Sequence, residues 1–218
     1  MDPPRLARWG GIEVRVLEQA DIALEWDDLD RWIQHPAPKI KRKSGVHVSG
    51  VLKYIAQELD ILKADDKLDL MPMCIATGMA MEAWIVGLYT DLKWQPGQLT
   101  RGGVTGSPDA DRIVNGRIRK CEMKATYKSI RTRQNILDEW MWIQQDMTYI
   151  NMDPKQMLEL TKYGNCLGEM HIWWVNGDYT HPYKPLYTRY LIEYSRGDLS
   201  NNWRMIQKYK HMAKKEEH

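Results

Sequence analysis

An Asn-Gly pair at positions 115 and 116 stands between two runs of β-prone residues. Both residue types tolerate the positive φ that a type I′ turn requires, so the pair predicts a two-residue β-hairpin. Counting outward from the turn places Val114 opposite Arg117 and Asp109 opposite Glu122. Directly opposed residues in a strand pair have Cβ atoms about 5 Å apart. The hairpin therefore predicts two neighbouring carboxylates on one face of a sheet.

Two opposed carboxylates repel each other, which destabilises a hairpin unless they share a cation or a proton. Lys124 lies two residues beyond Glu122, and the period of two in a strand places both side chains on the same face. Mg²⁺ is bound by one or two carboxylates together with water and phosphate oxygens. The trio of Asp109, Glu122 and Lys124 thus predicts a divalent-cation site beside a lysine. An exposed hairpin with solvated charges is the alternative interpretation.

Two predicted helices carry further polar residues in apolar surroundings. The first covers residues 72–89, where Glu82 interrupts the apolar pattern and Gly78 lies one turn earlier on the same face. A buried carboxylate without a partner costs several kcal/mol, so Glu82 is either exposed to solvent or close to a partner. The second predicted helix covers residues 134–152 and places Gln145 and Tyr149, four residues apart, on one stripe.

Pro108-Asp109 followed by Glu122-x-Lys124 resembles the signature of the PD-(D/E)XK nuclease superfamily. The resemblance is to its RecB-like and phage lambda-exonuclease-like (YqaJ-like) branch, and it covers about residues 45 to 210. Gly-x-x-x-Glu at Glu82 resembles the first motif of that branch, although many RecB-like relatives have histidine there. Gln145-x-x-x-Tyr149 resembles the third motif, whose two residues line the DNA channel.

The resemblance implies a fold class and a set of site residues. The expected fold is α/β with a restriction-endonuclease-like core: a helix, a three-stranded antiparallel meander, a second helix and a further strand, with added helices. The resemblance implies one or two Mg²⁺ or Mn²⁺ ions held by Glu82, Asp109, Glu122 and the backbone carbonyl of Met123. It also implies that Asp109, Glu122 and Lys124 are catalytic, with Gln145 and Tyr149 contacting DNA.

A polar segment after the Glu-x-Lys motif supplies further candidate DNA contacts. Lys128, Ser129 and Arg131 offer cations and a hydroxyl group next to the proposed site, a combination suited to phosphate. A polar connection without any ligand is the alternative.

The remaining hydrophobic pattern predicts a first core strand at 98–105, strands at 168–175 and 187–194, and a closing helix at 198–214.

The function implied by the resemblance is a Mg²⁺-dependent deoxyribonuclease, a hydrolase of DNA phosphodiester bonds. An exonuclease acting on DNA ends in phage-type recombination or repair is the leading hypothesis. The first alternative is a structure- or sequence-specific endonuclease with the same site. A non-catalytic DNA-binding protein that retains the fold and an unrelated metalloenzyme using the carboxylates are the others. DNA, a single-strand annealing protein and a second copy of the chain are the expected partners.

Length and composition limit the remaining choices. The chain of 218 residues suffices for one full domain, and we assign residues 45–218 to the nuclease domain and 1–44 to an extension without an assigned role. Cys74, Cys121 and Cys166 are odd in number and far apart, which argues against a disulfide framework and a four-cysteine iron–sulfur cluster. The sequence contains neither a membrane-spanning apolar run nor a signal peptide, so we expect a cytoplasmic location. The resemblance implies that the cell is bacterial or phage-infected. With a net charge of +2, any DNA affinity must come from local patches.

Overall fold

The computed structural model describes residues 5–9, 12–22, 45–59, 72–89, 91–126, 141–174 and 186–216. Ten strands and five helices are found in these ranges. The strands are β1 Arg5–Trp9, β2 Ile12–Ile22, β3 Val46–His47, β4 Leu92–Trp94, β5 Leu99–Arg101, β6 Val104–Gly106, β7 Ala110–Val114, β8 Arg117–Thr126, β9 Asn165–Trp174 and β10 Leu186–Ser195. The helices are α1 Val48–Glu58, α2 Pro72–Leu88, α3 Trp142–Met152, α4 Pro154–Tyr163 and α5 Arg196–Glu216.

The strands form two sheets, which makes the architecture mixed α/β. The larger sheet has seven strands in the order β1-β2-β10-β9-β8-β7-β4. Its neighbours are antiparallel except for β8 and β9, which run parallel. The smaller sheet has the order β3-β6-β5. No helix in the described part of the chain is long and apolar enough to cross a membrane.

The N-terminal segment takes part in the larger sheet. Strand β2 pairs antiparallel with β10, and β1 pairs with β2 at the edge. Val14 and Val16 of β2 are buried in the same apolar cluster as Ile192 of β10. Residues 12–22 are thus continuous with the sheet that contains the carboxylate hairpin.

The hairpin register predicted from the Asn-Gly pair is confirmed. Asn115 and Gly116 have φ of 51° and 73°, as a type I′ turn requires. Val114 pairs with Arg117, and the pairing extends to Ala110 opposite Cys121. Because β7 begins at Ala110, Asp109 lies one residue outside the strand, at the position that would face Glu122.

The strand predicted at residues 98–105 is wrong. Gly102 and Gly103, with φ of 57° and 79°, form a turn that divides this segment into β5 and β6. Both strands belong to the smaller sheet, so they are not the first strand of a meander with β7 and β8. In the larger sheet, the strand that pairs with β7 on its other side is β4.

The helices agree with the predictions in part. Helix α2 and the closing helix α5 lie where the pattern placed them, as do β9 and β10. The helix predicted from residue 134 begins instead at Trp142, because Met141 has φ of 55° and cannot continue an α-helix; residues 127–140 lie outside the described part. Helix α4 was not predicted, although Asp153 accepts a hydrogen bond from Lys155 N at its start and Gly164 ends it.

Side chains of β8 alternate between the two faces of the larger sheet. Glu122 and Lys124 pair with Met170 and Ile172, which pack with residues of α3 and α4. Cys121 and Met123 point to the opposite face, where they pack with Trp84 and Ile85 of α2. A third apolar cluster joins α1, α3 and α5 to the smaller sheet. The site residues therefore lie between α2, α3 and the end of β7.

Candidate metal and catalytic site

The site forms at the start of β7, beyond which β8 continues unpaired with β7 from Glu122 to Thr126. Asp109, one residue before β7, is fixed by its backbone carbonyl, which accepts a hydrogen bond from Gln95 N at 2.8 Å. Its Oδ2 accepts the backbone N–H of Met123 at 2.7 Å. The Asp109 carboxylate thus accepts a hydrogen bond from a backbone N–H group of β8 at the point where the pairing of β7 with β8 stops.

Strand β8 supplies the second carboxylate and the lysine. Glu122 is fully buried, and its Oε1 accepts a hydrogen bond from Lys124 Nζ. Its other oxygen, Oε2, has no hydrogen-bond partner among the described residues. Since a buried carboxylate oxygen without a partner is unfavourable, Oε2 is available for a ligand.

Helix α3 holds the lysine from the other side. Gln145 Oε1 accepts from Lys124 Nζ at 3.2 Å, and Gln145 Nε2 donates to the Tyr149 hydroxyl at 2.9 Å. The Tyr149 ring lies against Gly106, where a Cβ atom would collide with the ring and with Val48. Glycine at position 106 therefore allows Tyr149 to approach the strand that leads into Asp109.

Helix α2 brings Glu82 to the site through an aromatic contact two residues away. The Trp84 ring meets Trp173 edge-on, with centroids 4.6 Å apart, and Tyr187 likewise at 5.9 Å. Burial, followed by the charge of Asp109, raises the pKa of Glu82 to about 8, against the opposing effect of Lys124. A Cβ atom on Gly78, one turn before Glu82, would meet no atom of the described residues within 4 Å. The charges of Asp109 and Lys124 both act on Glu82, so the three groups lie close enough to interact electrostatically.

The three carboxyl groups interact unfavourably with one another when ionised. Burial raises the pKa of Asp109, although Lys124 and the Met123 N–H oppose the shift. Burial and the charge of Asp109 raise the pKa of Glu122 well above its usual range. Burial lowers the pKa of Lys124, but the nearby carboxylates outweigh this effect and raise it. When all three carboxyl groups are ionised, they and the ammonium group carry two net negative charges, which one divalent cation would balance.

The donor atoms present fit a hard cation. Oxygen ligands from carboxylates and backbone carbonyls are those that Mg²⁺ and Mn²⁺ prefer. The unpartnered Oε2 of Glu122 and the mutual repulsion of the carboxyl groups are both features that such an ion would relieve. The structure places Glu82, Asp109, Glu122, Lys124, Gln145 and Tyr149 around this one position, whereas Lys128, Ser129 and Arg131 lie outside the described residues.

A second group of potential ligands lies on the opposite face of β8. One ligand atom each from Cys121, Glu169 and His171 lies within 4.8 Å of the others. Glu169, however, already forms ion pairs with Arg119 and with Arg112 at 3.1 Å. Those two guanidinium groups would repel a cation. Burial also raises the pKa of the Cys121 thiol well above its usual range, which keeps it protonated. We interpret this group as an ion-pair network that supports the sheet.

Two buried charged residues at the contact between β8 and α3, Lys120 and Asp146, were not predicted from the sequence. Lys120 is 1% exposed and forms ion pairs with Asp111 at 2.6 Å and Asp153 at 2.5 Å. Asp146, next to Gln145, is completely buried. The alternation of Lys120, Glu122 and Lys124 along β8 could have indicated that this whole face is charged. No comparable pattern in the sequence marks Asp146.

Comparison with known proteins adds no family to this picture. No protein-family model matches the chain, and no curated protein matches it.

Proposed function

We propose that this protein is a Mg²⁺- or Mn²⁺-dependent deoxyribonuclease of the PD-(D/E)XK type. The observation that carries the proposal is the meeting of Glu82, Asp109 and Glu122, from three separate segments, beside a lysine and an unpartnered carboxylate oxygen. The arrangement of α2, the β7–β8 hairpin, α3 and the parallel strand β9 supports a restriction-endonuclease-like core.

Glu82, Asp109, Glu122 and the backbone carbonyl of Met123 would hold one or two divalent ions. A cation held there would supply Lewis acidity toward the scissile phosphate and toward an attacking water. The Met123 N–H keeps Asp109 oriented, because a hydrogen bond to one carboxylate oxygen fixes the plane of the group. Burial of Glu122 excludes bulk water from its charge and strengthens its interaction with a cation.

Lys124 is the residue placed to act on the phosphate or the water. Its ammonium group is held by Glu122 Oε1 and Gln145 Oε1, which restrict where Nζ can lie. From that position Lys124 would orient the water and stabilise the negative charge that develops on the phosphate. Gln145 orients Lys124 and is itself held by Tyr149. Gln145 and Tyr149 would position the DNA strand, and Lys128, Ser129 and Arg131 would add phosphate contacts.

An exonuclease acting on DNA ends in phage-type recombination or repair is the form of this function that the motifs support best. Such an enzyme would work in the cytoplasm of a bacterial or phage-infected cell, with a single-strand annealing protein or a second copy of itself as partner. An endonuclease would use the same residues but would need no free end. A non-catalytic DNA-binding protein would gain nothing from three neighbouring carboxyl groups that repel one another.

End-labelled linear duplex and covalently closed plasmid, each incubated with Mg²⁺ and with EDTA, test the proposal. We expect the linear duplex to be shortened from its ends with Mg²⁺ alone, while the closed plasmid stays intact. Nicking of the plasmid would establish the endonuclease alternative. If neither substrate is cut with Mg²⁺ or Mn²⁺ although DNA binds, the nuclease assignment is wrong.

A further inference from the structure

One buried carboxylate near the site has no part in the proposed mechanism. Asp146 of α3 follows Gln145 directly and has no exposed surface. Its Oδ2 accepts a hydrogen bond from the Tyr194 hydroxyl at 2.7 Å. Its Oδ1 lacks any hydrogen-bond partner in the described ranges. Keeping such a group in the core is unfavourable, so its position calls for a structural or functional reason.

Asp146 occupies a space that exists only because residue 168 is glycine. A Cβ atom at Gly168 of β9 would collide with Asp146 Oδ2, and it would lie 2.7 Å from Cε2 of Tyr194. Asp146 is thus enclosed by the backbone of β9 at Gly168 on one side and by the Tyr194 side chain of β10 on the other. Lys120 and Lys124 of β8 are the cations whose charges act on it.

The enclosure of Asp146 restricts rotation of α3 about its own axis at this position, together with the apolar packing of the helix. Consecutive residues of an α-helix are about 100° apart around the axis, so Asp146 faces the sheet while Gln145 faces Lys124. A rotation of about 15° would move a side-chain tip about 6 Å from the axis by about 1.5 Å. A displacement of that size would break the 3.2 Å contact of Gln145 with Lys124 of β8. The bond from Gln145 to Tyr149 would persist, because both residues belong to α3 and move together.

We propose that Asp146, held between Tyr194 and Gly168, is the positioning residue that sets Gln145 against Lys124 in the site. The expected effect of Asp146 on reaction rate rests on the proposed nuclease function. The expected effect on the position of Gln145 is independent of it, because the contact between Gln145 and Lys124 exists whether or not the protein cleaves DNA.

The structural arm of the test follows the side-chain amide of Gln145 by NMR, with the Gln145→Ala spectrum identifying its resonance. We expect Asp146→Ala and Tyr194→Phe to shift this resonance, because both remove the hydrogen bond between Asp146 of α3 and Tyr194 of β10. Asp146→Asn keeps the shape and an acceptor for Tyr194, so its resonance should stay close to that of the parent. Tyr194→Phe removes a single hydroxyl group and decides the question if Asp146→Ala does not fold.

The kinetic arm measures kcat and KM on linear duplex with Mg²⁺. We expect Asp146→Ala to lower kcat about 10- to 100-fold with little change in KM, since displacing a group by about 1 Å can reduce rate by that factor. Asp146→Asn should stay within about threefold of the parent. Leu160→Ala in α4 is the control, because it destabilises the same apolar cluster without removing a contact of Asp146, and it should leave kcat unchanged well below its melting temperature.

The two arms separate the possible failures. An unshifted Gln145 resonance in both Asp146→Ala and Tyr194→Phe overturns the inference, and so does a shifted resonance with parental kcat in an active enzyme. If the parent cleaves no DNA but the resonance shifts as expected, the proposed function fails and the positioning role of Asp146 stands.

Discussion

Asp109 Oδ2 and the backbone N–H of Met123 form a 2.7 Å hydrogen bond across the end of the β7–β8 hairpin. This bond places the Asp109 carboxylate beside the residue that follows Glu122, although Asp109 itself is outside the strand. The two carboxyl groups are thereby held in one site even though strand pairing stops before it reaches them.

The first prediction concerns Asp109→Asn. Asparagine can still accept the Met123 N–H but removes one of the repelling charges, so the metal-free variant should be as stable as the parent or more stable. The gain should lie between a few tenths and ~1 kcal/mol. Mg²⁺ should then raise the melting temperature of the parent more than that of Asp109→Asn or Glu122→Gln, because a ligand stabilises the state that binds it.

Three melts with and without Mg²⁺ check this prediction, with Glu58→Gln, an exposed change on α1, as the control. The control should show the full Mg²⁺ shift of the parent. Equal shifts in all the variants would mean that Asp109 and Glu122 do not share an ion.

The second prediction concerns metal removal. DNA cleavage should vanish with EDTA and return with Mg²⁺ or Mn²⁺, because three carboxyl groups and a carbonyl form the proposed ligand set. Ca²⁺ should support DNA binding with little cleavage, since it is larger and less demanding in geometry. Undiminished cleavage in excess chelator would rule out the mechanism.

The third prediction concerns Lys124→Ala. Loss of its ammonium group should lower kcat by ~10²–10⁴-fold, the effect typical of one catalytic group, while fold and most DNA affinity remain. Lys155→Ala, an exposed lysine at the start of α4, is the matched control and should cleave at the parental rate. Parental activity in Lys124→Ala would show that the site has been placed wrongly.

The fourth prediction compares two glycines. Gly106→Ala places a methyl group against the Tyr149 ring and Val48, so it should destabilise the fold by about 1–3 kcal/mol. It should also reduce kcat, because Tyr149 bonds to Gln145. Gly87→Ala on the exposed face of α2 places a methyl group where no described residue lies within 4 Å, and it should instead stabilise the fold by about 0.5–1 kcal/mol. Chemical denaturation of both variants measures the difference, and equal effects would contradict the packing of Tyr149 on Gly106.

The fifth prediction concerns pH without metal. Burial and the charge of Asp109 raise the pKa of Glu82 from 4.5 to about 8. The folded state therefore keeps a proton that the unfolded state has lost, and the stability due to neutral Glu82 is complete below pH 4.5 and lost as pH rises through about 8. In EDTA, the melting temperature of the parent should fall over this range more steeply than that of Glu82→Gln. Parallel curves for the two proteins would show that Glu82 is not in the carboxyl cluster.

Local turn chemistry explains why the hairpin could be predicted from the sequence. Asn115 and Gly116 fix the turn type without help from the rest of the fold, and the period of two then sets every pair as far as Ala110 and Cys121. At residues 98–105 the prediction extended one strand through Gly102 and Gly103, although a Gly-Gly pair between β-prone residues is also a hairpin signal. The structure forms that hairpin, between β5 and β6. Asp153 followed by Pro154 is a helix-start pattern, an N-cap residue before a proline in the first turn, and it marks the start of α4.

The surroundings of the site depended on contacts between distant segments. Glu82 meets Asp109 because Trp84 packs on Trp173, a residue far along the chain. Asp146 looks like a surface residue in the sequence, and only β9 and β10 enclose it. The positions of Glu82 and Asp146 are set by tertiary packing, so the periodicity of a single sequence segment cannot predict them.

The pairing of β2 with β10 also has a consequence for synthesis of the chain. Ile22 pairs with Tyr187 and Val16 with Ile192, so the two strands leave the ribosome far apart in time. Until residues 186–195 are made, one edge of β2 has no native partner, and contacts so distant in sequence form slowly. A nascent chain halted before residue 186 would expose that unpaired edge and would be prone to aggregate. The speed of translation over the second half of the message should therefore affect the yield of folded protein.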